Sequence, residues 1–335
     1  MEYWLITTEH LEDRLLFKND QDFRVGMNYV AAQAYKAGLF VLAFILMSNH
    51  LHFVVAGTRA QVDRFIDSLK GAYSRYMWDK YGVHEVLRRK KQDIRKLQAY
   101  DESLERAVAY VQMNSVEANI CANSSDYPWG TGASFFRFSG VERTSVPAAG
   151  GDRVCGSATG VGRASGSAAG VGRASGSAAG AGRAPELRPG DRRLGDLSAR
   201  ERFRLLHTKM DLPSDWIICG DGYIVPECYV KVDWVEKLYR TPKRMIFFLQ
   251  NSSKAKKRLA TREDCSPSFR DQVILASLPD LCRSLFGKPS VEDLNEEQLS
   301  ELMRQLRYRF SSNVNQIARV TGLTYERAAM LLDRV

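Results

Sequence analysis

The sequence predicts an α+β fold: an antiparallel sheet carrying helices, then a low-complexity linker, then a mainly helical C-terminal region. Three observations lead there. Strand-like and helix-like stretches mix over the first 111 residues instead of strictly alternating. Three near-identical ten-residue units, GSATGVGRAS, GSAAGVGRAS and GSAAGAGRAP, run from Gly156 to Pro185. The chain closes on two short helical patterns separated by a Gly-containing turn.

Tyr3–Thr8 reads as a strand and Gln21–Ala37 as a helix, with Asp20 as its N-cap. Leu39–Met47 is an unbroken aliphatic and aromatic run, the pattern of a buried strand. Ser48 and Asn49 are turn formers, and His50–Val55 reads as the next strand. Ala60–Trp78 is helical, and a basic segment follows it. Asp101 and Glu102 open a further helix, where Leu104, Ala107, Val108 and Val111 form one apolar stripe. The repeat units contain only small residues, Arg and one Pro, and cannot bury enough apolar surface to offset their ordering entropy. The chain therefore divides into residues 1–140, a disordered linker over 141–196, and a C-terminal region over 197–335.

Composition excludes whole classes. The chain has 335 residues, 44% hydrophobic and 26% charged, which rules out a fully disordered chain or a rod. Leu39–Met47 is far shorter than the roughly 20 residues of a membrane span, so no membrane partner is expected. No basic n-region precedes an apolar stretch at the N-terminus, and the six cysteines form no C-x-x-C pair. Both point to a cytoplasmic protein. The formal net charge is +9. Much of the excess is local: Arg59–Lys96 carries 11 basic and 5 acidic residues, including Arg88, Arg89, Lys90 and Lys91, with Arg95 and Lys96 just beyond. This is the expected phosphate-binding surface, although charge runs are more often simply solvated.

The sharpest local feature is His50-Leu51-His52. On a strand, residues i and i+2 point to one face, so two imidazoles project side by side and offer half of a divalent-metal site. A bare H-x-H is more often two hydrogen-bonded structural histidines. The helix after Asp101 adds Tyr110 and Asn114, four apart on the flank of its apolar stripe. A phenol nucleophile and a hard carbonyl ligand could thus face one site.

These residues give the chain its resemblance to single-tyrosine transposases of the HUH superfamily (IS200-like), and within them to the branch associated with repetitive extragenic palindromes. The family's Met-Pro-Asn-His-hydrophobic-His motif is matched by Met47-Ser48-Asn49-His50-Leu51-His52. Its Tyr-Ile-x-x-Asn-Pro motif is matched by Tyr110-Val111-Gln112-Met113-Asn114-Ser115, and its Tyr-Pro-Trp-Ser-Ser stretch by Tyr127-Pro128-Trp129-Gly130-Thr131. Ser48 and Ser115 replace two prolines of the pattern. The likeness covers roughly residues 1–138 and implies a ferredoxin-like sheet. It also implies that His50, His52 and Asn114 hold Mg²⁺ or Mn²⁺. Tyr110 would attack single-stranded or hairpin DNA and keep its 5′ phosphate as a phosphotyrosine. Tyr73, Tyr76 and Tyr81 compete for the nucleophile's role, but none has an Asn four residues on.

The C-terminal region carries no catalytic signature. Val314–Val320, a turn at Thr321–Thr324 and Tyr325–Asp333 read as a helix-turn-helix at about 313–335. Gly322 would end its first helix, Thr324 would cap its second, and Arg327 would be available to DNA. The bland alternative is a helical hairpin that completes a core. Three functions remain in view: a strand-transferring transposase, a non-catalytic DNA-binding regulator derived from one, and a metal hydrolase using water. The sequence is compatible with a monomer or a homodimer.

Overall fold

Four strands form one antiparallel sheet in the order β2-β3-β1-β4. They are β1 (Glu2–Thr8), β2 (Phe40–Met47), β3 (His50–Gly57) and β4 (Gln92–Leu97). Helices α1 (Asp20–Ala37) and α2 (Arg59–Tyr81) connect them as β1-α1-β2 and β3-α2-β4, the ferredoxin-like arrangement. The computed structural model describes residues 1–11, 14–84, 86–88, 90–136, 185–253 and 268–333. The expected linker lies outside the described residues up to 184, and Arg89 lies outside them too.

Every residue of β3 is buried, because both faces of the sheet are covered. Phe53 meets Phe65 of α2, with ring centroids 5.3 Å apart, so Leu51, Phe53 and Val55 face the α1/α2 layer. His50, His52 and Val54 face the other side, where α3 (Ser103–Gln112) and α4 (Asn114–Glu117) pack. The expected elements of this part are present within a few residues. Two details differ. The N-cap of α1 is Asn19, not Asp20: Asn19 and Asp22 form a reciprocal capping box, with Asp22 fully buried. The basic segment also holds a strand, β4, whose Ile94 lies opposite Ile6 of β1.

The outer edge of β2 is covered by two segments. Leu46 N–H donates to Trp129 O (2.8 Å) and Thr131 N–H to Phe44 O (3.0 Å). Lys231 N–H donates to Val41 O (2.9 Å). Gly130 is required here, since a Cβ would stand 2.7 Å from Phe44 O. Trp129 is fully buried and stacks on Phe23 of α1 at 4.9 Å. The Tyr-Pro-Trp stretch thus closes a sheet edge.

The division at residue 197 does not match the packing. Strand β5 (Arg192–Arg193) already pairs with β6 (Ile217–Ile218), and Leu194 is buried. Together with α5 (Ala199–Leu206), α6 (Val232–Tyr239) and α7 (Pro242–Gln250), these residues share one core with the N-terminal sheet. The Asn28 side chain of α1 donates to Leu205 O and Gly222 O and accepts from Ile224 N–H (2.8 Å). The buried Tyr239 hydroxyl donates to Glu105 O (2.6 Å). The reason is burial: Val230, Val235 and Tyr239 belong to an apolar surface that α3 and β2 complete.

A second core is built by α8 (Asp271–Phe286), α9 (Glu296–Phe310), α10 (Val314–Thr321) and α11 (Tyr325–Asp333). Gly322 ends α10 at φ +72°, and Thr324 Oγ1 accepts from Arg327 N–H. Both match the expected turn. Ala318 and Ala328 are buried in this core with Ile317, Leu331, Leu302 and Leu306, and α9, α10 and α11 pack on one another. The helix pair therefore completes a four-helix core. This unit touches the first through Gln272, whose amide donates to Phe17 O (2.8 Å), and through the Arg270–Asp20 ion pair (3.1 Å). No helix among the described residues is long and apolar enough to cross a membrane.

Candidate active site

The β2–β3 hairpin turns through Ser48 and Asn49, pairing Met47 with His50, Ile45 with His52 and Phe44 with Phe53. His50 and His52 therefore emerge on one sheet face within three residues of the turn. Their ring centroids are 4.7 Å apart, and both rings are buried. Each Nδ1 is engaged by a neighbour. His50 Nδ1 lies 2.8 Å from Asn49 Oδ1, and His52 Nδ1 lies 3.0 Å from Thr7 Oγ1, directly across from it on β1. Asn49 Oδ1 only accepts, so His50 carries its proton on Nδ1. This leaves Nε2 as the nitrogen that could coordinate an ion, the usual device by which a second partner sets a ligand's tautomer.

A third histidine joins them. His10, two residues past β1, stacks on His50 with ring centroids 3.7 Å apart. One ligand nitrogen from each of His10, His50 and His52 lies within 4.8 Å of the others. Sequence reasoning missed His10 because forty residues separate it from His50. Only the β1–β3 register, which puts Thr7 opposite His52, brings the chain beyond Thr8 to His50. Three imidazoles grouped in this way could hold a divalent cation, the class of ion that the resemblance implies.

Helix α3 lies over this face. Leu104, Ala107, Val108 and Val111 are buried as the apolar stripe requires, and Tyr110 is half-buried on its flank. The Tyr110 ring stands edge-on to His52, with centroids 5.5 Å apart. The end of α3 is pinned to β2. Gln112 Nε2 donates to Thr131 Oγ1 (2.8 Å), which also accepts from Phe44 N–H (3.1 Å). Asn114 is buried, and its amide nitrogen donates to Tyr110 O (2.9 Å) and Val111 O (3.2 Å). It satisfies the last carbonyls of α3, leaving Oδ1 as the only atom of the amide that can ligate.

The competing tyrosines lie in the α1/α2 layer. Tyr73 donates to Leu16 O (2.7 Å) and Tyr76 to Asp22 Oδ1 (2.8 Å), while Tyr81 lies 2.9 Å from Asp22 Oδ2. Burial, and then Asp22 (by its charge on Tyr73 and Tyr81, by its hydrogen bond on Tyr76), push all three phenols above their ordinary range. Groups held protonated on the opposite side of the sheet do not serve the His pair.

The basic residues separate. Arg88 is exposed, and its N–H is held by Ser74 Oγ. Lys90 is half-buried, with its carbonyl bound by Lys70. Lys91 is exposed beside Glu9. Arg95 lies opposite Leu5, and Leu5 shares the face of Thr7, so Arg95 is on the histidine face. Lys96 lies opposite Trp4 on the other face and pairs with Glu2. Since β4 is an edge strand, its charges also keep the edge from pairing with another chain. Arg327 is on α11 in the four-helix unit, 3.6 Å from Glu296.

Residues 6–93 match the family model described as "Transposase IS200 like". The match spans 88 residues of the 335-residue chain and is a likeness to IS200-like transposases over that stretch. The matched stretch contains the end of β1, α1, the hairpin with His50 and His52, α2 and the start of β4, and stops short of Tyr110. A solved structure, that of the REP-associated tyrosine transposase bound to a REP hairpin, aligns at 12% identity and a TM-score of 0.31. The alignment covers 40% of this chain and 78% of that one. No curated protein matches the chain.

Proposed function

We propose that the chain nicks single-stranded or hairpin DNA and transfers the strand through a covalent tyrosine intermediate. The observation that carries this reading is the edge of Tyr110 against His52, on the sheet face that also holds His50. His50 and His52 would hold a divalent cation, Mg²⁺ or Mn²⁺, and Asn114 Oδ1 would be the further ligand implied by the resemblance. That ion supplies Lewis-acid polarisation of the scissile phosphate. Tyr110 Oη gives up its proton and forms the new bond to phosphorus, the P–O3′ bond breaks, and the leaving oxygen takes up one proton to become a 3′-OH, so no net proton is gained or lost. The 5′ phosphate stays on Tyr110 as an ester, so a later 3′-OH can attack it and rejoin strands without an external energy source. The Gln112–Thr131 and Asn114–Tyr110 bonds hold the nucleophile's helix in place. Arg95 is the basic residue of β4 on this face and so its candidate for a phosphate contact.

Denaturing electrophoresis of the full chain with labelled hairpin oligonucleotides and Mn²⁺ tests the reading. The wild type should form a DNA adduct that Tyr110→Phe and EDTA both remove. Binding without an adduct would make the chain a regulator, and cleavage without an adduct would make water the nucleophile.

A further inference from the structure

We infer that Gln272 is a positioning residue for the reaction proposed above. From the four-helix unit it steadies the hairpin that presents His50 and His52, and the strip it belongs to sets that hairpin against the helix of Tyr110. The inference rests on that reading and gives the C-terminal unit a part in it.

The contact is small and buried. Gln272 is the second residue of α8 and is 8% exposed. Its amide nitrogen donates one hydrogen to Phe17 O (2.8 Å) and the other to Ser48 Oγ (3.3 Å). Ser48 is buried in the β2–β3 turn, and its carbonyl accepts from Leu16 N–H (2.7 Å) and Phe17 N–H (3.3 Å). Gln272 thus ties the turn just before His50 to the loop that leads into α1.

The residue type at position 48 gives this contact its meaning. Where the family pattern has proline, whose ring fixes its own backbone, this chain has serine. A serine turn lacks that internal restraint. Here its hydroxyl is taken by a side chain from the other unit, so the restraint is supplied from outside.

The same strip reaches the nucleophile's side. Ser268 N–H donates to Asn119 O (2.6 Å), two residues past α4, the short helix that opens with Asn114. The strip is itself held. Ser268 Oγ donates to Gln316 Oε1 (2.6 Å), Gln316 Nε2 donates to Phe269 O (2.6 Å), and Arg319 pairs with Asp271 (3.0 Å). Gln316 and Arg319 lie on α10, whose Ile317, Ala318 and Val320 are buried in the second core. Residues 268–272 are therefore a bracket fixed to the four-helix core, touching the histidine hairpin on one side and the segment after Tyr110 on the other. A misplacement of about 1 Å between reacting groups costs on the order of 100-fold in rate, so such a bracket acts on rate more than on DNA affinity.

Single-turnover adduct formation by the full chain on a saturating short single-stranded oligonucleotide with Mn²⁺ tests this. DNA affinity is read by fluorescence anisotropy in the Tyr110→Phe background, and melting curves accompany every variant. Gln272→Met keeps the length of the side chain but has no donor. It should slow the adduct about tenfold or more and leave affinity within about threefold. Ser48→Ala, which keeps the Gln272–Phe17 bond, should also slow it, and the double variant should be no slower than Gln272→Met alone, since both remove one shared contact. Arg270→Ala breaks the ion pair with Asp20 that docks the same strip without touching the hairpin, and its rate should stay within about threefold of wild type. If Gln272→Met unfolds the four-helix unit, Ser48→Ala carries the test. Unchanged rates in Gln272→Met and Ser48→Ala, or equal slowing by Arg270→Ala, mean that the strip only docks the two units and overturn the inference while the tyrosine reading stands. Multiplicative slowing in the double variant overturns the shared contact. A wild type that forms no adduct overturns the tyrosine reading and this inference with it.

Discussion

Replacing Thr131 by Val tests how α3 is held against the sheet. Valine has nearly the shape of threonine, so the change makes no cavity and isolates the hydroxyl. Thr131 is fully buried, and its Oγ1 accepts from Phe44 N–H (3.1 Å) and Gln112 Nε2 (2.8 Å) and donates to Phe44 O (3.2 Å). The variant leaves a backbone N–H and an amide N–H without this acceptor. At roughly 1–3 kcal/mol for each stranded buried group, with some relaxation, the cost is about 2–4 kcal/mol. For a unit of this size that is a melting shift of about 2–4 °C per kcal/mol, or roughly 4–16 °C. Urea unfolding measures the first quantity and differential scanning fluorimetry the second. Tyr110 lies two residues before Gln112, so adduct formation should also slow by about tenfold or more as the nucleophile's position loosens. Thr131→Ser keeps the hydroxyl and should lose only about 1 kcal/mol with near-normal rate. A Thr131→Val protein within about 0.5 kcal/mol of wild type, with unchanged rate, would refute the anchoring argument.

Three other outcomes are expected. His50→Ala or His52→Ala should abolish EDTA-sensitive cleavage while costing about 1–3 kcal/mol of stability by urea titration. Deleting residues 311–335 removes Ile317, Ala318, Val320, Ala328 and Leu331 from the second core. The four-helix unit should then lose its own melting transition, while the adduct still forms on a short single-stranded oligonucleotide. His207 ends α5 at φ +52°, and burial, then the Lys80 charge, hold its pKa below the ordinary value. The unfolded chain therefore binds the extra proton, and stability should fall as pH drops below about 6.5. His207→Asn, which tolerates the left-handed conformation, should show a smaller loss of melting temperature between pH 7.5 and 5.5 than the wild type. An equal loss would place the acid sensitivity elsewhere.

The strands and helices of the first 111 residues were legible because each carries its own period and its own turn residues. β4 was not: half of Gln92-Asp93-Ile94-Arg95-Lys96-Leu97 is charged, and an exposed edge strand needs few apolar residues when β1 supplies the pairing. The side-by-side His50 and His52 followed from strand geometry alone, and the proximity of Tyr110 followed from the motif resemblance. His10 could not be found by spacing, since it reaches His50 through the β1–β3 pairing and the Asn49–Leu11 bonds. The packing of residues 185–252 was hidden for the same reason. Their apolar residues were visible, but their partners, Asn28, Val41 and Glu105, lie more than 100 residues away along the chain.

The central claim is that Tyr110 carries the DNA. The direct measurement is fragmentation mass spectrometry of peptides from the trapped adduct, with end-group mapping of the released strand. The account predicts a 5′-phosphorylated nucleotide on Tyr110 and a free 3′-OH on the other fragment. A nucleotide on Tyr73, Tyr76 or any other residue, or a 5′ phosphate released to water with no adduct, would contradict it.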